Sequence, residues 1–468
     1  MKSVCGLILL MASFALAPAV TGAEARGADY LKWDKTNNVV SAEVTTWDVT
    51  AVLRHVAAAT GWEVYLQPGT QQLLHTRFKN LPSGQALSRM LGPLNFAVLP
   101  REKGRSHLLV FRTSQTEATE HLKPAETKGS LIEDELVVTL KPGEKIEDLA
   151  RKLGAKVIGK AEGLNAYRLK FDDAAAAQSA RSALQSNPAV AGVDSNFWMN
   201  PPVGADLLGS AGSPPLRPTA RTDGKNVIVG LIDSMVQSKE SQFSGLVLPG
   251  ISVAGDSTTP VASATATDSP THGPAMAETI LKSLAELRSS SGSTSVRILP
   301  VDVYGNSEST STFDVAKGIY EAINRGATII NLSLGSDGNA QYLQDVIASG
   351  HSQGVIFLAA AGNQPVTTPT YPAAYPGVIA VTAETTSGQI ADYANRGSFV
   401  QAGAPGQSIV FFNNQAYLVT GTSVSAAFAS GLAAGMKENT GQSLADVEAA
   451  LRKALALPAG AAATTPKP

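Results

Sequence analysis

Charged side chains are scarce in this chain of 468 residues: 16% are Asp, Glu, Lys or Arg, against about 25% in ordinary soluble proteins. The 37 basic and 39 acidic residues leave a formal net charge of −2. A nucleic-acid-binding chain carries a basic excess, so that class is excluded. Cysteine is scarcer still. Cys5 is the only one, and beyond it disulfides, cysteine catalysis and Cys-ligated zinc are all ruled out. Long apolar runs are confined to the start, where "VCGLILLMASFALAPAV" follows Lys2 and no charge returns until Glu24. That run is short for a membrane span, contains Pro18 and is followed by the small residues Ala23 and Ala25. It reads as an export signal over residues 1–25, in preference to an uncleaved anchor, with Cys5 wrongly placed for lipid attachment. The mature chain is then periplasmic or secreted, without a transmembrane segment. What is abundant is apolar material, at 44% of residues, which is enough for large cores and too much for wholesale disorder. The length calls for more than one domain.

Residues 29–113 alternate strand and helix signals. "NNVVSAEVTT" has strand character, and "DVTAVLRHVAAATG" carries apolar residues at helical spacing between an Asp and a Gly. "WEVYLQPG" is a strand closed by a turn; "SGQALSRMLG" is a short helix; "NFAVLP" and "HLLVFRT" are further strands. This order resembles the small N-terminal domains of secretins and TonB-dependent receptors, and the resemblance implies docking to another envelope protein. His55, His75 and His107 are scattered and suggest no metal site. Residues 114–135 are polar and read as a linker with a solvated His121. Residues 136–200 give the order βαββαβ, a ferredoxin-like pattern. Residues 459–468 read as a flexible tail.

Between about 205 and 458 the pattern changes. "VIVGLID", "VRILPVDVYG", "ATIINLSLGS", "GVIFLAAAGN" and "GVIAVTA" are near-continuous apolar runs, suited to strands buried on both faces of a parallel sheet. Helical stretches such as "TFDVAKGIYEAINRGA" and "QYLQDVIASGHSQG" lie between them. The alternation predicts a doubly wound α/β fold, mostly parallel, preceded by two small α+β domains, with functional groups beyond the carboxyl ends of the strands. Asp233 stands at such an end. His272 opens a helix after Pro270 and is the candidate base by elimination, because the "HSQG" around His351 reads as a surface turn. Asn363 ends a buried strand. Ser423, in "LVTGTSVSAAFASGLAA", sits at the mouth of a helix of small residues. There it serves either as a cap or as a nucleophile beside amide groups able to hold an oxyanion.

Together the four residues run in the order Asp233, His272, Asn363, Ser423, the Asp–His–Ser order of subtilisin. "GLIDSMV", "THGPAMAETI", "AAAGN" and "GTSVSAAFASG" resemble the aspartate, histidine, oxyanion-asparagine and serine motifs of the subtilisin-like serine peptidases, or subtilases. "INLSLGS", "YPAAYPGVIAVTA" and "QAGAPGQSI" add to the likeness. The resemblance implies Ser423 as nucleophile, His272 as base, Asp233 as its orienting acid and Asn363 in the oxyanion hole. It also implies that Ser333, Leu334 and Gly335, with Ala360, Ala361 and Gly362, flank the pocket for the residue before the scissile bond. The βαββαβ unit in turn resembles the subtilisin propeptide, an inhibitor removed by self-cleavage. Pro201 and Pro202 direct that cut to a position after Met199 or within "GADLLGSAGS". Met235, Pro274, Ala275, Glu278 and Ala427 depart from the family pattern and bear on how tightly the His272 helix packs. The segment "RSSSGSTS", where many relatives carry a calcium loop, has no carboxylate, and Asp256 and Asp268 have no ligand spacing. No metal or cofactor is therefore expected. The reading is an exported, self-processing endopeptidase acting on proteins or peptides. The alternative from a different class is a degenerate subtilase fold that serves as an envelope docking protein.

Overall fold

The computed structural model describes residues 30–34, 38–44, 49–68, 70, 72, 74, 76–99, 106–122, 130–199, 206–210, 218–221, 226–236, 245–255, 259–260, 270–286, 292–307, 309–412 and 415–458. The export signal with Cys5, the tail after 458, and His75, Asp256 and Asp268 lie outside these residues.

The central element is an eight-stranded sheet. Its order runs Thr259–Pro260, Ile251–Ser252, Val296–Asp302, Val227–Asp233, Ala327–Leu332, Ile356–Ala360, Val378–Glu384, Ala402–Pro405, parallel throughout except for the first pair. The chain starts in the middle with Val227–Asp233, steps to Val296–Asp302 on one side, then crosses to Ala327–Leu332 on the other. Reversal of winding direction opens a crevice at the carboxyl ends of the central strands, and Asp233 ends the central one. Every residue of Val296–Asp302 and Ile356–Ala360 is buried, which is why these strands read as near-continuous apolar runs. The helices His272–Glu286 and Thr422–Thr440 cover one face around Ile280, Leu284, Ala426 and Ala433. Thr312–Asn324 and Gln341–Ser352 cover the other, around Phe313, Ile319, Leu343 and Ile347. The small residues of the Ser423 helix allow backbone contact with the His272 helix. A Cβ on Gly431 would fall 2.3 Å from Ile280 O, and Ser283 Oγ donates to Phe428 O at 2.7 Å.

Two groups of elements come earlier. Strands within 30–122 and the helices Val49–Thr60 and Ser83–Leu91 share a core of Val40, Leu53, Val64, Leu87 and Leu108. The linker expected over 114–135 is corrected here. Glu120–Leu122 pairs antiparallel with Glu63–Leu66, and Leu131–Leu140 already opens the next unit. A strand needs only backbone donors and acceptors, so a polar sequence at a sheet edge conceals it. The following elements run β-α-β-β-α-β from Leu131 to Met199, with a sheet ordered Val190–Met199, Leu131–Leu140, Ala166–Lys170, Lys156–Ala161. Val137, Ala161, Ala166 and Met199 of this sheet lie in one cluster with Phe313 and Ile319 of the large unit.

A further strand, Asp206–Ser210, pairs antiparallel with Gln415–Thr420, itself the second arm of a hairpin with Gln407–Phe412. His351 is not in a surface turn. It lies in the last turn of Gln341–Ser352, its Nε2 3.3 Å from Glu448 Oε2. No described helix is long and apolar enough to cross a membrane.

Candidate active site

Asp233 and His272 are in direct contact. Asp233 is 1% exposed, and its two oxygens lie 2.9 and 2.8 Å from His272 Nδ1. A carboxylate can only accept, so Nδ1 carries the proton and Nε2 presents its lone pair. The strand and helix that bring them together are stitched by Ser234. Its N–H donates to Asp233 Oδ1 at 2.7 Å and its hydroxyl accepts from Gly273 N at 2.9 Å. Only glycine fits after the histidine, because a Cβ there would stand 2.2 Å from Ser234 O. The departures at Pro274, Ala275 and Glu278 leave the helix tightly packed, with Gly273 through Leu281 all buried. Pro274 sits in the first turn, where its missing N–H has no helical acceptor to lose.

Ser423 is in the first turn of its helix and 3% exposed. Its Oγ donates to Ser333 O at 3.2 Å, and Ser333 Oγ donates back to Ser423 O at 3.0 Å. Among the described residues His272 Nε2 has no hydrogen-bond partner. The resting hydroxyl is therefore held by Ser333, and no hydrogen bond joins it to the imidazole.

Asn363 is fixed through its oxygen. Oδ1 accepts from Thr422 N at 2.9 Å and Thr422 Oγ1 at 3.0 Å, while Thr422 Oγ1 accepts from Gly362 N at 3.0 Å. With the oxygen committed, the amide NH2 is the end left to meet a ligand beside Ser423. Asn395 clamps the same loop. Its Nδ2 donates to Ala361 O at 2.9 Å, its Oδ1 accepts from Gln364 N at 2.8 Å, and its N–H donates to Gly362 O at 2.8 Å. The sequence reading names neither Thr422 nor Asn395 as a positioning group. Thr422 stands next to the nucleophile, but nothing local to Asn395 marks it.

Of the six candidate pocket residues, Gly335 and Gly362 are part-exposed and the other four buried. The Ser333 hydroxyl and the Ala361 carbonyl are engaged within the protein. A second carboxylate, Asp302, lies in register beside Asp233 and is 2% exposed. Its Oδ1 accepts from Tyr304 N and Gly305 N at 3.1 and 2.9 Å. Burial, with Asp233 and Asp302 nearby, pushes the Tyr304 phenol well above its ordinary range and keeps it neutral. Next to the described end of "RSSSGSTS" the structure does bring a carboxylate, Glu438, from a distant helix. Its oxygens accept from Arg221 Nη2, Ser295 N, Ser295 Oγ and Thr294 Oγ1 at 2.6–3.0 Å.

Parts of the chain are similar to known proteins. The family model described as "Subtilase family" matches residues 224–463, and that of the "Fervidolysin N-terminal prodomain" matches residues 117–196. Thermitase of Thermoactinomyces vulgaris is 29% identical over 231 residues, covering 49% of this chain and 81% of its own. Subtilisin J of Geobacillus stearothermophilus is 31% identical over 278 residues, covering 57% and 68%. The structure of fervidolysin from Fervidobacterium pennivorans aligns with a TM-score of 0.51 and 20% identity, over 68% of this chain and 56% of that one, a likeness of fold.

Proposed function

Since the chain belongs to the subtilase family and is a subtilisin-like serine peptidase with a prodomain, we propose that it cleaves peptide bonds through Ser423, His272 and Asp233, with Asn363 in the oxyanion hole. The observation that carries this is the Asp233–His272 contact, which occupies Nδ1 and leaves Nε2 without a hydrogen-bond partner among the described residues. Ser423 Oγ leaves Ser333 O and adds to the scissile carbonyl carbon while Nε2 takes its proton. The carbonyl's electron pair becomes an oxyanion held by the Asn363 NH2 and the Ser423 N–H. Collapse expels the amine, which receives the proton from Nε2, and water repeats the cycle on the acyl-enzyme. The Asp233 charge stabilises the imidazolium formed in between. Ser333–Gly335 and Ala360–Gly362 line the pocket for the residue before the cut. Presence of every group the reaction requires favours the peptidase over the degenerate docking protein.

The chain is exported and made as a zymogen in this reading, with residues 131–199 as its inhibitor. Support comes from contacts that a removable inhibitor would use. The strand Val190–Met199 pairs with Thr310–Ser311 of the large unit. Asn196 Oδ1 accepts from Phe313 N and Thr312 Oγ1, and Asp194 Oδ2 accepts from Tyr342 N. Two helix N-termini of the enzyme are thus capped by side chains of the inhibitor. For the unit within 30–122 we propose docking to another envelope component, on the strength of its element order. Deleting it should leave catalysis intact while changing where the protein fractionates; loss of both together would count against separate roles.

The test of the triad is a fluorophosphonate probe with a peptide substrate. Wild type should label at Ser423 and hydrolyse the peptide. Ser423→Ala should do neither while melting at the same temperature. Labelling of the alanine variant at the wild-type rate would name another nucleophile.

A further inference from the structure

Ser333 grips the nucleophile from both ends, and behind it lies a buried polar chain that the reaction as written does not use. Asn331 Nδ2 donates to Ser333 Oγ at 2.8 Å, and Ser430 Oγ lies 3.0 Å from Asn331 Oδ1 and 2.8 Å from Ala426 O. Asn331, Ser333 and Ser430 are each 0% exposed. Asn331 belongs to the strand Ala327–Leu332, and Ser430 lies two turns along the helix that Ser423 opens.

We propose that Asn331 is a positioning residue for the nucleophile, acting through the direction of one hydroxyl proton. A hydroxyl has a single hydrogen. Because Asn331 Nδ2 donates to Ser333 Oγ, that oxygen is occupied as an acceptor on the Asn331 side and its own hydrogen is directed to Ser423 O. The pull fixes the Ser423 backbone, whose N–H is one of the two oxyanion donors. Ser430, whose one hydrogen is shared between Asn331 Oδ1 and Ala426 O, meets the other end of the amide, with Oδ1 toward the helix and Nδ2 toward Ser333. One strand side chain thus ties the first turn of the Ser423 helix to its third. An apolar residue of the same size would fill the space and leave the Ser333 hydrogen free to turn. This inference rests on Ser423 being the nucleophile.

The experiment is a double-mutant cycle in the full-length chain with Asn331→Leu, Ser333→Ala and the pair, read by probe-labelling rate, kcat, KM and melting temperature. Asn331→Leu should lower kcat and the labelling rate together by roughly 10- to 100-fold, the scale of a small misplacement of a reacting group, with KM nearly unchanged. Melting should move by no more than about 4 °C. The double variant should be no worse than Ser333→Ala alone, because Asn331 works only through that hydroxyl. Additive losses, or wild-type kcat in Asn331→Leu, would overturn the proposal. If Asn331→Leu does not fold, Asn331→Asp decides: its deficit should shrink as pH falls, since a protonated carboxyl regains a donor, and a constant ratio to wild type across pH would overturn it. A wild type that labels elsewhere than Ser423 overturns the triad reading and this proposal together. A wild type that labels at Ser423 with additive losses overturns this proposal alone.

Discussion

Asn363 illustrates how a residue's chemistry can be legible while its anchorage is not. An Asn after "AAAG" at a strand end reads as an oxyanion donor only through its likeness to the subtilase motif; alone it would be a turn residue. The groups that aim it are Thr422, 59 residues away, and Asn395, which grips its loop from 31 residues downstream. Neither separation leaves a local pattern in one sequence. Asn363→Ala should lower kcat by a factor of the kind known when subtilisin itself loses such a donor, about 10²–10³, while Ser423 still reacts with the probe. Thr422→Val should do part of the same damage, because it frees Asn363 Oδ1 from one donor and leaves Gly362 N without its acceptor. Steady-state kinetics on both variants would check this. Equal, total losses in Asn363→Ala and Ser423→Ala would make Asn363 structural instead.

Elements buried on both faces were easy to read, since apolar runs of strand length admit few other homes. Edge elements escaped: Asp206–Ser210, Glu120–Leu122 and the hairpin arms Gln407–Phe412 and Gln415–Thr420 use backbone pairing that polar or mixed sequence tolerates. Caps supplied from another unit escaped too. The helix Gln341–Ser352 has no side-chain hydrogen bond from its own N-cap, Ala340, and takes Asp194 instead. Burial raises the Asp194 carboxyl above its ordinary value, against the hydrogen bonds from Tyr342 and Ser195 and the charge of Arg181, with Asp345 adding to the rise. Its charged form is therefore the costly one in the folded chain. That cost is present above the folded pKa and fades as pH falls through it toward the unfolded carboxyl value. Asp194→Asn keeps an acceptor for Tyr342 N without the charge. In an uncut Ser423→Ala background it should melt higher than its parent at neutral pH, and the gap should close on acidification. A gap that widens in acid would mean that attraction between the carboxylate and the helix N-terminus outweighs burial.

For the whole molecule, the proposed self-processing meets a chain that is pinned at two places. Met199 is paired with Thr310 and Asp206 with Leu418. Proteases cut backbone that is free of such pairing, so the proposed self-cleavage, after Met199 or within "GADLLGSAGS", should spare the paired Asp206–Ser210. Intact-mass measurement of wild type and Ser423→Ala should find this cut in the first and not in the second; the same fragments in both would assign it to a host protease. After the cut, Asp206–Ser210 would keep the enzyme's new N-terminus on the strand that leads into Ser423.

The close crossing at Gly431 and Ile280 has a consequence for how the enzyme dies on heating. His272 and Ser423 stand in the first turns of two helices whose backbones meet there across a glycine, with only the small Ser283 side chain at the contact. Neither helix can breathe away from the other by swinging a rotamer; separation must break the apolar layer as a whole. Amide hydrogens along both helices should then exchange with solvent at one common rate. The loss of activity with temperature should coincide with the loss of fold, with no dormant, still-compact enzyme in between.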